Sequence, residues 1–104
     1  MSPEISVVIV TWNGRQYLEA CLQAVQAQQG VNAEIVLVDN GSSDGTPAFV
    51  RARFPEVRLV PLDANHGFAG GSNAGAREAR GEYLAFLTVS YTHLRAHETP
   101  EHLV

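Results

Sequence analysis

The 104-residue sequence contains no lysine: its 7 basic residues are all arginine, against 11 acidic ones, for a net charge of −4. Without lysine there is no P-loop, because the G-x-x-x-x-G-K-[ST] signature needs the ammonium at the β- and γ-phosphates. The acidic balance argues against a nucleic-acid partner, since phosphate backbones are held by basic faces. Cysteine is nearly absent too. Cys21 stands alone, so no internal disulfide can form, and it falls on an apolar helical stripe where it reads as a small buried hydrophobe. Long apolar runs are missing. Residues 5–10 are too short a stretch for a secretory core or a membrane span, which makes a cytoplasmic setting the expectation.

What is present is ordinary globular composition, 45% apolar and 17% charged, enough for one domain and contrary to disorder. The β-branched run ISVVIV (5–10) suits a central parallel strand covered on both faces. Tyr17, Leu18, Cys21, Leu22 and Val25 then recur at helical spacing, with Gly30 as a stop. EIVLVD (34–39) reads as a second buried strand, followed by the turn residues NGSSDG. Thr46 is expected to cap a second helix that starts at Pro47. VRLVPL (57–62) is a third strand, placed at an edge or a strand end by Pro61. An Ala-rich third helix is expected over about 69–80, and EYLAFL (82–87) is a fourth strand. The order β-α-β-α-β-α-β with short connections predicts an α/β fold, a parallel sheet in a three-layer sandwich with right-handed crossovers. Ligands bind such sheets at the carboxyl ends of strands, where the strand order reverses.

A dinucleotide fingerprint would place G-x-G-x-x-G after the first strand, and TWNGRQ has a single glycine there. A receiver domain would need an acidic pair after the first strand and an acceptor Asp after the third, but these strands end VTWN and VPLD. Three segments, VVIVTWNGRQYLEACLQAVQAQ, EIVLVDNGSSDGT and VRLVPLDANHGFAGGSNAGAREARGEYLAFL, closely resemble the N-terminal half of family 2 glycosyltransferases. The resemblance runs from about Ile5 to Leu87, and the TWNG and NHGFAGGSNAG variants look most like the rhamnosyltransferase-type branch. It implies a GT-A fold, a Rossmann-like nucleotide-binding half, and sugar transfer with inversion from a UDP- or dTDP-sugar to a glycan or lipid-linked acceptor. It also leaves membrane-peripheral association open for a longer parent.

The resemblance assigns nucleotide-binding positions to Thr11, Trp12, Asn13, Asp39, Asp44, Asn65, Gly67, Asn73 and Arg77. The Trp12 indole is suited to pack on a pyrimidine or ribose, with strand-end packing as the plainer role. Asp39 is expected to accept the pyrimidine N3–H, a role an ionised carboxylate fills as a pure acceptor; an Asx turn or helix cap is its alternative. Turn formation explains Asp44 equally well, and Ser42 and Ser43 read as turn formers. The glycines of NHGFAGG allow close backbone approach, ahead of a helix whose free N–H groups suit an anion. Arg77 would face the base or diphosphate, or else be a solvated helix residue. His66 reads as an exposed loop residue.

Family members bind Mg²⁺ or Mn²⁺ through an acidic D-x-D or N-x-D motif after the fourth strand, which neutralises the leaving diphosphate. That motif falls here on Thr88, Val89 and Ser90, none a carboxylate, and the resemblance implies that the catalytic base belongs to a second half not included in this sequence. The expectation is a donor-binding half over residues 1–87, incomplete for catalysis, and a non-native, adapter-like tail over 88–104; the alternative is a nucleotide-binding α/β module without activity. The tail's histidines do not make a zincin site, since His97, Glu98 and His102 are spaced H-E-x-x-x-H with Pro100 between.

Overall fold

A computed structural model describes residues 3–27 and 32–90, with Ser90 described by its backbone only. Gly30 and the histidines at 93, 97 and 102 lie outside the described residues. Seven elements follow in alternation: β1 (Ile5–Trp12), α1 (Arg15–Ala27), β2 (Ala33–Asp39), α2 (Thr46–Arg53), β3 (Arg58–Pro61), α3 (Gly67–Glu78) and β4 (Tyr83–Ser90). They form one parallel four-stranded sheet in the order β3-β2-β1-β4. The chain first winds outward from β1 to β3, then crosses back beyond β1 to β4. With right-handed crossovers, reversing the direction of winding moves the connecting helix to the opposite face. Accordingly α1 and α2 cover one face, packing on Ile9, Leu37 and Val89, and α3 covers the other, over Val8, Val10, Val36 and Val38.

β1 and β2 are buried on both sides because alternate residues feed the two cores, which is why neither shows a polar face in sequence. Helix α3 packs on the sheet through glycine backbone. A Cβ on Gly75 would stand 2.4 Å from a Val8 methyl and 2.9 Å from one of Val38, so only glycine allows this approach.

Several element boundaries differ from the sequence expectation. β1 runs on to Trp12 and β4 to Ser90, because the two strands pair through Val10–Thr88, Thr11–Val89 and Trp12–Ser90, and Val89 is buried in the core. Thr46 is not a cap. It is the first residue of α2, fully buried, after Gly45 in the left-handed region at φ 83°. The capping group is the neighbouring Asp44 carboxylate, which accepts the Thr46 N–H at 3.1 Å and its hydroxyl at 2.5 Å. α3 begins at Gly67, two residues earlier than its apolar pattern indicates. No helix among the described residues is long and apolar enough to cross a membrane.

Candidate nucleotide-binding site

The strand order reverses between β1 and β4, so the carboxyl ends of β1, β2 and β4 form the natural ligand-binding edge. Two loops meet there, β1–α1 and β2–α2, and they are fastened by hydrogen bonds rather than by apolar packing. Asn13 occupies the left-handed region at φ 52°, which asparagine tolerates better than most residues. This conformation lets its N–H donate to Ser42 Oγ at 2.8 Å while its Oδ1 accepts the Ser43 N–H at 2.8 Å. Arg15, opening α1, donates its N–H to Asp44 Oδ2 at 3.0 Å. Asp44 therefore caps α1 and α2 at once. Burial works against its charge, but the hydrogen bonds from Thr46 and Arg15 outweigh it and hold the carboxyl below its ordinary range.

Asp39, 2% exposed, ends β2 beside Thr11 of β1. Burial pushes its carboxyl above the ordinary range, the hydroxyl and N–H of Ser42 pull it partly back, and the charge of Asp44 adds to the rise. Among the described residues its Oδ1 has no hydrogen-bond partner, and neither has Thr11 Oγ1. A buried carboxylate oxygen left unsatisfied is costly within a fold and marks a place where a ligand donor fits.

Outside the interlocked loops lies an open groove of about 690 Å³, lined by Trp12, Asn13, Ser43 and Asp44, by Arg15, Gln16 and Glu19 of α1, and by Phe49 of α2. The Arg15 guanidinium stacks 5.3 Å from the Phe49 ring centre, with Arg53 at 5.8 Å on the same ring and paired to Glu19. Of the nine residues named from sequence, Trp12, Asn13 and Asp44 line this groove. Thr11 and Asp39 lie buried at the strand ends. Asn65 sits exposed on the loop before α3 and Gly67 is exposed at the start of the helix, the Gly67 N–H donating to Asn65 Oδ1 at 2.7 Å, and Asn73 and Arg77 are exposed on α3 outside the groove. Sequence reasoning missed Asn40, whose side chain binds that loop, and Ser72 on α3, whose hydroxyl is buried without a partner among the described residues. It also passed over Arg15 and Phe49. Asn40 is hidden within a string of turn residues, where its composition signals only a turn.

A sequence model of the family described as Glycosyl transferase family 2 matches residues 6–93. The chain belongs to glycosyl transferase family 2. It is 41% identical over 86 residues to the succinoglycan biosynthesis protein ExoO of Rhizobium meliloti (strain 1021), an alignment covering 82% of this chain and 25% of ExoO. It is 38% identical over 68 residues to the N-acetylglucosaminyl-diphospho-decaprenol L-rhamnosyltransferase of Mycobacterium tuberculosis (strain ATCC 25618 / H37Rv), covering 65% of this chain and 22% of that enzyme. Among solved structures it superposes on the mannosyltransferase PcManGT from Pyrobaculum calidifontis, determined in complex with GDP-Man and Mn²⁺, with a TM-score of 0.72 at 28% identity over 85% of this chain and 28% of that one. Staphylococcus aureus TarS 1–349 gives a TM-score of 0.73 at 26% identity, over 82% and 27%. The sheet and its flanking helices are thus those of the GT-A glycosyltransferases. The chain spans about a quarter of the length of the relatives it matches.

The divalent cation of this fold family does not fit the described residues. Thr88, Val89 and Ser90, at the end of β4, carry no carboxylate, and no group of three His, Cys, Asp or Glu side chains among the described residues is placed to hold a metal.

Proposed function

We propose that this chain forms the donor-nucleotide-binding half of an inverting family 2 glycosyltransferase that moves a sugar from a UDP- or dTDP-sugar to a glycan or lipid-linked acceptor. One observation carries the reading: Asp39, at the carboxyl end of β2, keeps a buried carboxylate oxygen with no partner among the described residues. A pyrimidine N3–H satisfies such an oxygen, and a ring that presents an acceptor there does not. The partly buried Trp12 supplies an aromatic face to the same edge of the sheet. Asn65, Gly67, Asn73 and Arg77 are assigned to the donor side of the α3 loop, where the chain's small residues admit a phosphate. Similarity to the mycobacterial rhamnosyltransferase favours a deoxyhexose donor, and the match to ExoO favours a polysaccharide product.

Inversion proceeds by a single displacement in which a base takes the acceptor hydroxyl proton. No described residue is assigned that base. Because the end of β4 lacks a carboxylate, the second reading is a nucleotide-binding module that does not turn over, and we expect no sugar transfer by the 104-residue chain itself. Trp12 is the single tryptophan, so its fluorescence reports the site directly. Titration with UDP and with dTDP should perturb Trp12 emission, and Asp39→Ala should weaken that response about tenfold, the cost of one charge-assisted hydrogen bond. An unchanged affinity in Asp39→Ala would remove Asp39 from the site.

A further inference from the structure

We propose that Asn40 is a positioning residue for the donor site: its side-chain amide fixes the α3 loop, Asn65 to Gly67, against the end of β2. The inference rests on the donor-site reading above. Asn40 is 2% exposed, and it adjoins Asp39 directly. Its Oδ1 accepts the His66 N–H at 2.9 Å, and its Nδ2 donates to the Gly67 carbonyl at 3.0 Å. Its own backbone is held by the Thr11 carbonyl at 2.8 Å, so the side chain projects from a fixed point.

The pairing is one of opposite polarities. One neighbour offers an N–H and the next a carbonyl, and a carboxamide carries an acceptor and a donor on the same planar group. A carboxylate of identical shape would set an oxygen against the Gly67 carbonyl, and an apolar side chain would leave both backbone groups unmet. The surrounding backbone is equally close. Gly41 lies in the left-handed region at φ 81°, and a Cβ there would fall 2.6 Å from the Ala64 carbonyl carbon and 2.8 Å from the Asn65 nitrogen. Leu62 donates to the Asp39 carbonyl at 2.8 Å. The exposed Asn65 and Gly67 thereby take their position from β2, one residue away from the carboxylate assigned to the base. The span between base-binding and phosphate-binding groups is set through Asn40.

The test compares Asn40→Asp with Ser6→Ala in the full 104-residue chain. Ser6 is fully buried and hydrogen-bonded to Glu34 and Gly81 near the amino ends of the strands, away from the site. UDP and dTDP dissociation constants, urea midpoints and amide exchange of His66 are measured for each. Asn40→Asp, which keeps the acceptor for the His66 N–H but loses the donor to the Gly67 carbonyl, should weaken nucleotide binding about tenfold, Asn40→Ser should do the same and also speed His66 exchange, and Ser6→Ala should lower the urea midpoint without changing affinity. Wild-type affinity in Asn40→Asp, or an equal loss of affinity in Ser6→Ala, overturns the proposal. Should Asn40→Asp not fold, Asn40→Ser, which reaches neither backbone group and buries no charge, is read by the same criteria. Wild-type protein that binds neither nucleotide overturns the donor-site reading and this proposal with it, an outcome distinct from selective failure of the Asn40 variants.

Discussion

The Asp44 carboxylate accepts the backbone N–H of Arg15 at 3.0 Å across 29 residues of sequence, while its other oxygen accepts the N–H and hydroxyl of Thr46 two residues on. One side chain therefore caps two helices and joins the two loops that form the groove. Each helix N-terminus offers unsatisfied N–H groups and a partial positive charge, so a shared carboxylate answers both.

Replacing Asp44 by alanine should accordingly cost more than a single cap. An N-cap substitution typically costs about 1 kcal/mol, so Asp44→Ala should lose about 2 kcal/mol in urea denaturation. Asp44→Asn keeps an acceptor and should lose less. A loss in Asp44→Ala no larger than that of an exposed surface alanine substitution would refute the double cap.

The acidic groups predict opposing pH dependences. Asp44 is held below its ordinary range. So is Glu34: burial would raise it, but hydrogen bonds from Ser6 and the Arg80 N–H outweigh that. For both, the unfolded chain binds protons more readily. Their stabilisation is complete above the ordinary carboxyl range and is lost as pH falls through the lower folded values. Asp39 is raised, so the folded chain keeps its proton longer, and its contribution declines as pH rises from the ordinary aspartate value through the raised one. Asp39→Asn, with no ligand present, should gain stability relative to wild type on going from about pH 3 to about pH 7. Parallel stability curves for the two proteins across that range would contradict the assignment.

The close seating of α3 makes a third prediction. Gly75→Ala places a methyl 2.4 Å from Val8 and should destabilise the fold by about 1–3 kcal/mol, as overpacking does. Gly67→Ala meets open space and pays only for its left-handed backbone at φ 76°, about 1 kcal/mol. Thermal or urea unfolding of the two variants checks the order. Equal losses would mean that the helix can lift from the sheet without penalty.

The sequence determined the list of elements and their type, because β-branched runs, helical apolar spacing and turn residues are local properties. Pro61 pointed to an edge or strand end, and β3 is an edge strand of the sheet that ends at Pro61. The phrases TWNG, VDNGSSDGT and NHGFAGG identified the family for the same reason: they are contiguous. What only the tertiary structure decided are relations between distant residues. In sequence the fourth strand ends at Leu87 because residues 88–104 read as a non-native tail; pairing with Val10, Thr11 and Trp12 carries β4 through Ser90. Asp44 reads in sequence as a nucleotide-binding candidate or a turn residue, and its capping of α1 is not legible there because its Arg15 partner is 29 positions away. Asn40 looked like a turn residue as well, and its work is done on His66 and Gly67, which adjoin it only because the crossover from β3 returns over the end of β2. Hydrogen bonds are directional and short-ranged, so their partners exist only once the sheet order and loop positions have brought them within 3 Å.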